Sequence, residues 1–91
     1  MQMAYVLISV EPGDEGQVIR ELEQVEHVSE AHIVYGVWDI VAKVEGSTPK
    51  EIKDIVIAQI RNLDHVETTM TLVVAEPSHV ENITVPVPSP S

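Results

Sequence analysis

An internal repeat with an offset of 38 residues limits what this chain can fold into. The first copy, Val18 to Val28, has apolar side chains at helical spacing and ends in Val-Glu-His-Val, while the second, Val56 to Val66, ends in Leu-Asp-His-Val. A run rich in strand-forming residues precedes each copy, and another follows it. The element order is therefore β-α-β twice. Two such units in about 75 residues predict a ferredoxin-like α+β fold, in which two helices cover one face of a four-stranded antiparallel sheet.

Local signals predict where each element begins and ends. Asp14, with Gln17 three residues later, predicts a capping box at the start of helix 1, and Gly36 predicts the pivot of a tight hairpin. The segment Thr48 to Glu51 supplies an N-cap hydroxyl, an N1 proline and an N3 carboxylate for helix 2. The predicted strands are Met3–Val10, Val28–Tyr35, Val37–Glu45 and Val66–Ala75, and the predicted helices run from Asp14 to Val25 and from Thr48 to Leu63.

The composition changes after Glu76, which predicts a domain over residues 1–76 and a tail over residues 77–91. Four of the six prolines fall in the tail, which has no helical period and reads as extended or polyproline chain. The tail's apolar residues are spaced to lie in the groove of a neighbouring subunit, and a solvated tail is the other interpretation. These apolar residues are Val80, Ile83, Val85 and Val87.

The charge of the chain argues against several functions. A formal net charge of −10 repels phosphate backbones, so we expect no direct nucleic-acid binding. No apolar run approaches the roughly 20 residues that cross a bilayer, and no basic and apolar leader is present, so we expect a cytoplasmic protein and no membrane partner. The absence of cysteine fits that location and removes thiol chemistry.

Two other kinds of protein with this element order are a poor match. Acylphosphatases need an arginine in the loop after strand 1, whereas residues 11–16 of this chain hold three acids and no arginine. RNA-recognition domains need stacking aromatics on strands 1 and 3 and a basic surface. Strand 1 offers only Tyr5, and the net charge has the wrong sign.

Strands 1 and 3 are apolar on both alternating sets of positions, which predicts self-association. In strand 1, Tyr5 and Leu7 alternate with Val6 and Ile8. A sheet with one face in water would alternate apolar with polar residues. Since two short helices cover only one face, a second subunit is expected to cover the other. Leaving that face in water would forfeit many kcal/mol at about 25 cal/mol per Å².

Two segments are candidates for ligand binding. In the hairpin Tyr35 to Asp39, the glycine permits close approach of a ligand and the acid can hold an ammonium group. Thr68, Thr69 and Thr71 offer hydroxyls for a carboxylate. Ordinary hairpin chemistry and strand propensity explain the same residues, and the residues alone leave this open.

No catalytic, cofactor or metal site is expected from the residues. His27 and His65 occupy matching positions of the repeat, which indicates two equivalent turns between helix and strand. A zinc site needs three or four converging ligands, and the chain has no cysteine and no closely spaced histidine pair. We see no nucleophile with an obvious base and no glycine-rich phosphate loop.

Residues 4–76 resemble, from end to end, the effector-binding domain of Lrp/AsnC-type feast/famine transcription regulators, also called the RAM domain. The most specific piece is residues 35–44, Tyr-Gly-Val-Trp-Asp-Ile-Val-Ala-Lys-Val, which is similar to the family's hairpin and third strand. The family's closing motif, Val-x-(Thr/Ser)-x-(Thr/Ser), is similar to residues 66–71, Val-Glu-Thr-Thr-Met-Thr. The Thr-Thr pair shifts the last threonine by one position relative to the motif. Full-length members carry a helix-turn-helix before this domain. Because this chain has no room for one, we expect it to be a stand-alone version of the domain.

The resemblance implies a dimer with sheets packed face to face, a ring of dimers such as an octamer, and amino acids or related metabolites bound in clefts between dimers. Carried over position by position, the effector cleft is lined by Tyr35, Gly36, Val37, Trp38, Asp39, Thr68, Thr69 and Thr71.

Our leading hypothesis is a non-enzymatic, self-assembling module that senses an amino acid and modulates transcription regulators of the same family. An isomerase or monooxygenase on the same dimeric scaffold is one alternative, and Asp39 is its best candidate for a titratable group. A purely structural partner, which co-assembles with full-length regulators, is the other.

Overall fold

The computed structural model describes residues 1–76 and confirms the ferredoxin-like α+β fold. The predicted tail, residues 77–91, lies outside the described residues. The four strands form one antiparallel sheet in the order β2-β3-β1-β4. The elements in chain order are β1 Gln2–Val10, α1 Glu15–Leu22, β2 Val28–Ile33, β3 Ile40–Gly46, α2 Pro49–Ile55 followed by a π-helical segment Val56–Ile60, and β4 Val66–Val73.

The core lies between the two helices and one face of the sheet, which we call the helix face. No polar or charged side chain is buried in it within residues 1–76. Burial of this continuous apolar layer is the main force that holds the helices on the sheet. Its fully buried large side chains are Val6, Ile8, Val18, Leu22, Ile40, Val44, Ile52 and Ile60.

The other side of the sheet, which we call the open face, is covered by no helix of residues 1–76. Residues directly opposite each other on neighbouring strands share a face. Because Tyr5 pairs with Leu72 and Lys43, and Leu7 pairs with Met70 and Val41, all of these side chains lie on the open face. As predicted, β1 carries apolar side chains on both faces of the sheet.

Helix 2 begins as predicted. The Thr48 hydroxyl accepts a hydrogen bond from the Glu51 N–H at 3.1 Å, and Pro49 takes the first helical position. The helix then widens, since the Arg61 N–H donates to the Val56 carbonyl five residues back, at 2.9 Å. This π segment keeps Val56 and Ile60 buried on the helix face.

Three local predictions were wrong. The hairpin at Gly36 is not tight, because β2 ends at Ile33 and β3 begins at Ile40, which leaves a loop of residues 34–39. Helix 1 ends at Leu22 rather than near Val25, and the Asp14 side chain makes no capping hydrogen bond. Long-range contacts account for two of these differences: Asp39 contacts Val10 in the hairpin, and Asp14 contacts His65 at the start of α1. No helix within residues 1–76 is long and apolar enough to cross a bilayer.

Candidate functional site

The hairpin loop between β2 and β3 projects from one end of the sheet. The Val34 N–H donates to the Asp39 carbonyl at 2.8 Å and closes the base of the loop. Gly36 has a φ of +136°, which a residue with a side chain rarely adopts, so the predicted need for glycine holds although the turn type differs. The Tyr35 side chain is fully exposed, and Val37 is 90% exposed. Two apolar side chains are thus held in solvent at the tip.

Asp39 fastens this loop to the central strand β1. Its carboxylate Oδ2 accepts a hydrogen bond from the Val10 N–H at 2.9 Å, and its own N–H donates to the Ile8 carbonyl at 3.0 Å. The carboxylate contact joins residues 29 positions apart in the chain. The carboxylate therefore has a structural role at the base of the loop.

The three threonines of β4 lie on different faces. Thr69 and Thr71 pair with Ile8 and Val6, so their side chains lie on the helix face. Thr68 pairs with Ser9 on the open face, and the two hydroxyls share a hydrogen bond. The register of β4 against β1 thus separates hydroxyls that look equivalent in the sequence.

The eight predicted site residues do not form one pocket within residues 1–76 of a single chain. Tyr35 to Asp39 lie beyond β2 and β3, whereas the threonines lie on β4, on the far side of β1. Ile40 and Thr69 both face Ile8, one strand away on either side, which sets them about 10 Å apart. The hairpin and the threonines therefore lie on opposite sides of β1 in one chain.

A groove of about 730 Å³ runs between helix 2 and the edge strand β4 on the helix face. The groove is the place where Thr69 and Thr71 reach solvent. Ile57, 44% exposed, forms part of its apolar floor. The remaining lining residues are Pro49, Lys50, Lys53, Val56, Arg61 and Val73.

Three of the five lysines and arginines of the chain line this groove. Lys50 is paired with Asp54 at 3.0 Å, whereas Lys53 and Arg61 have no acidic partner within residues 1–76. This set of cations was not predicted from the sequence. Their spacing was a usable signal, because Lys50, Lys53, Ile57 and Arg61 follow one stripe of a helix.

A second cluster of charged side chains, also not predicted from the sequence, lies at the hairpin end of the sheet. His65 Nδ1 lies 3.2 Å from Glu11 Oε2 and 3.0 Å from Asp14 Oδ2. Asp14 occupies the N-cap position of α1, but its side chain contacts His65 and makes no capping hydrogen bond; His65 adopts a left-handed φ of +74°. The hydrogen bond with Glu11 raises the pKa of the His65 imidazole above its ordinary value, the charge of Asp14 adds to this, and desolvation opposes it.

The two histidine turns are equivalent in their backbone contacts, as the repeat predicted. The His27 carbonyl accepts from the Glu45 N–H at 2.9 Å, and the His65 carbonyl accepts from the Glu11 N–H at 3.1 Å. Their side chains differ. His65 joins two carboxylates, whereas His27 lies 3.9 Å from Glu51 alone among residues 1–76. Glu11, Asp14 and His65 are close enough together to hold a metal ion, but their ion pairs with one another account for the same geometry.

Comparison with known proteins places the chain in a family. A family model described as the Lrp/AsnC ligand binding domain matches residues 3–81. An uncharacterized HTH-type transcriptional regulator of Pyrococcus furiosus, PF0250, is 38% identical over 74 residues, which cover 77% of this chain and 49% of the relative. The chain thus spans about half the length of the curated relatives it matches.

Solved structures share the fold. The protein TTHA0845 from Thermus thermophilus superimposes with a TM-score of 0.82 at 29% identity, over 88% of this chain and 100% of that one. The transcriptional regulator NMB0573 from Neisseria meningitidis, solved as a complex with L-Met, has a TM-score of 0.75 at 12% identity, over 91% of this chain and 56% of that one, and shows the fold alone. The family match, the curated relatives and the fold agree, and the chain belongs to the family of Lrp/AsnC ligand-binding domains.

Proposed function

We propose that this chain is a non-enzymatic, self-assembling sensor that binds a free amino acid or a related metabolite between its subunits and modulates transcription regulators of its own family. One observation carries the proposal. The residues predicted to contact the ligand lie in two separate places in one chain, the hairpin and β4, which assembly can bring together. We call these places the two half-sites of the proposed ligand site.

Assembly begins on the open face of the sheet. Tyr5, Met70 and Leu72 expose 41, 47 and 49% of their surface there, beside the half-buried Leu7 and Val41. A second copy that packs its own open face against this layer removes the whole apolar patch from water in one symmetric contact. Further assembly into a ring, such as an octamer, brings hairpin loops to neighbouring dimers.

A group of charged and polar side chains on β2 and β3 fits the rim of such an interface. Lys43 Nζ lies 3.7 Å from Glu30 and 4.0 Å from Glu45, and His32 lies 3.2 Å from Glu30. The hydrogen bond from His32, together with the charge of Lys43, lowers the pKa of Glu30. These charges satisfy one another, so they can remain at a solvated edge while the apolar strands meet.

An amino acid matches the chemistry of the two half-sites. Asp39, at the base of a loop whose glycine allows close approach, supplies a negative charge for an ammonium group. The hydroxyls of Thr69 and Thr71 supply donors for a carboxylate on the other half-site. The Val10 N–H occupies one lone pair of this carboxylate, which has about four, so the Asp39 carboxylate can also accept from an ammonium group.

A thermal-shift screen of the twenty amino acids at millimolar concentration tests the proposal. A ligand present at 100 times its Kd stabilises the fold by about 2.7 kcal/mol, which raises the Tm. We expect at least one amino acid to do so. If none does, the sensor proposal fails and the purely structural co-assembly partner takes its place.

Two variants of Asp39 separate its charge from its structural contact. Asp39→Asn keeps an oxygen for the Val10 N–H and removes the charge, so it should retain the wild-type Tm and lose the ligand-induced shift. Asp39→Ala removes both, so it should also lower the Tm of the free protein. A wild-type ligand response in Asp39→Asn would show that Asp39 only fastens the loop.

A further inference from the structure

The two edge strands of the sheet differ in how readily each could pair with another chain. Edge strands commonly carry charged side chains, a proline or a bulge, all of which prevent such pairing. Strand β2 has a register shift between Val28 and Glu30, and it also carries His32 beside Glu30. Over residues 68–73, Thr-Thr-Met-Thr-Leu-Val, β4 has no charge, no proline and no register shift. Its outer edge, which no strand of residues 1–76 covers, is therefore competent to accept a further strand.

The hydrogen-bonding groups at this edge follow from the pairing of β4 with β1. The Val74 N–H donates to the Met3 carbonyl at 2.9 Å. Bonded positions alternate along an antiparallel pair, so the even-numbered residues of β4 bond toward β1. The residues whose N–H and C=O groups point outward are Thr69, Thr71 and Val73.

An antiparallel strand added at this edge would send alternate side chains into the groove between α2 and β4. Residues that exchange backbone hydrogen bonds across an antiparallel ladder place their side chains on the same face. Thr69 and Thr71 line the groove on the helix face, so the residues opposite them would enter it. There they would meet an apolar floor formed by Val56 and Ile57.

Cations lie toward the two ends of this groove. Strands β3 and β4 are both antiparallel to β1, so the helix that connects them runs back along β4 in the opposite direction. Lys53, in α2, therefore lies toward the Val73 end, and Arg61, after the helix, lies toward the Thr69 end. Arg61 also lines a smaller cavity of about 220 Å³ with residues 66–69, including Glu67, which agrees with this placement. Neither cation forms an ion pair within the described part of the chain.

The spacing of the two cations matches an extended peptide that has acidic residues four positions apart. Lys53 and Arg61 are eight positions apart, which is roughly 12 Å at the rise of a helix. Four steps along a strand cover about 13 Å. Residues at i, i+2 and i+4 of a strand share one face, so the middle residue would lie over Ile57.

We propose that the outer edge of β4 and the adjacent groove bind an extended acidic peptide segment of another protein, which joins the sheet as an antiparallel strand. The residues that enter the groove follow the pattern acidic-x-apolar-x-acidic. Their carboxylates pair with Lys53 and Arg61, and the apolar side chain covers Ile57. Because the chain has a formal net charge of −10, most of its surface repels such a peptide, and binding depends on these local cations.

The peptide site has a consequence for ligand binding that rests on the proposed function. A bound peptide would cover Thr69 and Thr71 and would compete with an amino acid that contacts their hydroxyls. The peptide site itself requires no amino acid. A failed amino-acid screen would leave peptide binding intact, and a peptide that does not bind would leave the amino-acid screen unaffected.

Fluorescence anisotropy of a labelled peptide, titrated with the full chain, tests the site. The probe is Thr-Glu-Thr-Ile-Thr-Glu-Thr with blocked ends. The control Thr-Glu-Ile-Thr-Thr-Glu-Thr has the same composition and charge, but its isoleucine lies on the opposite face of the strand. We expect the probe to bind more tightly than the control. The same Kd for the two peptides, or no binding of the probe, would overturn the proposal.

Three variants of the protein test the role of the cations. Lys53→Gln and Arg61→Gln should each raise the Kd of the probe roughly two- to fivefold. Arg20→Gln removes a cation of α1 that does not line the groove, so it should leave the Kd unchanged. An equal effect of all three substitutions would show that only the net charge matters, which would contradict the proposed site.

N-methylation of the probe tests the backbone pairing. With the isoleucine opposite Thr71, its N–H donates to β4, whereas the N–H of the threonine that follows it faces solvent. Methylation of the isoleucine nitrogen should raise the Kd by about tenfold, and methylation of that threonine nitrogen should have little effect. Equal effects at the two positions would show that the peptide does not join the sheet as proposed.

Discussion

A single charge on the open face should disrupt the proposed dimer, and Leu72 is the best position for it. Leu72 is 49% exposed in the isolated chain and lies on the open face, on the edge strand β4, paired with Tyr5 of the central strand β1. Full burial of a leucine is worth about 1.5–3 kcal/mol, so the half that is exposed contributes about 1 kcal/mol when a second copy covers it. Since a symmetric dimer contains the position twice, Leu72→Asp loses about 2 kcal/mol from this contribution.

The new carboxylate adds a second penalty. A polar group buried without a partner costs about 1–3 kcal/mol, again twice, which brings the loss to at least about 4 kcal/mol. Each 1.4 kcal/mol corresponds to about a factor of ten, so the dimer Kd should rise by roughly a thousandfold. Sedimentation velocity at micromolar concentration should then show a monomer that retains its circular dichroism spectrum.

Ile57→Asp is the matched control. Ile57 is 44% exposed, similar to Leu72, but lies on the helix layer, away from the open face. It should leave the dimer intact. A monomeric wild-type protein, or a dimer that tolerates Leu72→Asp, would refute the argument that the open face drives assembly.

Two further predictions concern stability. Thr48→Ala removes the hydroxyl that caps α2, which should cost about 1 kcal/mol and lower the Tm by roughly 4–8 °C in calorimetry, whereas Ser47→Ala should have little effect. His65 should make the unfolding free energy depend on pH, because contact with Glu11 and Asp14 raises the pKa of its imidazole in the folded state. Its stabilising contribution is fully present below the ordinary imidazole pKa of 6.5, and it is lost as the pH rises through the higher folded value. Denaturant titrations should show this slope flattened in His65→Gln and kept in His27→Gln, and an unchanged slope in His65→Gln would contradict it.

Local chemistry was sufficient where the contacting residues are neighbours in the chain. The start of α2 depends on Thr48, Pro49 and Glu51, which lie within one turn, and all three occupy their predicted positions. Asp14 shows the limit of such reasoning. Its side chain was expected to cap α1. In the structure it instead contacts the imidazole of His65, about fifty residues away in the chain, and this ion pair replaces the cap.

Tertiary structure also decided the shape of the candidate site. Gly36 predicted a tight hairpin between β2 and β3. Instead, Asp39 is attached to Val10 on β1, the pairing of β2 with β3 ends early, and a six-residue loop, 34–39, remains. Thr68 and Thr69 are adjacent and chemically identical, and only the register of β4 against β1 places one on each face of the sheet.

The sequence by itself determined the element order, the apolar core and the two-sided character of the sheet. The reason is that repeats, alternation and caps are properties of residues close together in the chain. Only the tertiary structure placed Lys53 and Arg61 beside β4, His65 next to Glu11 and Asp14, and the hairpin and the threonines on opposite sides of β1. Those placements depend on which strands pair and in which register, and pairing between distant segments is set by burial of the whole core rather than by any local pattern.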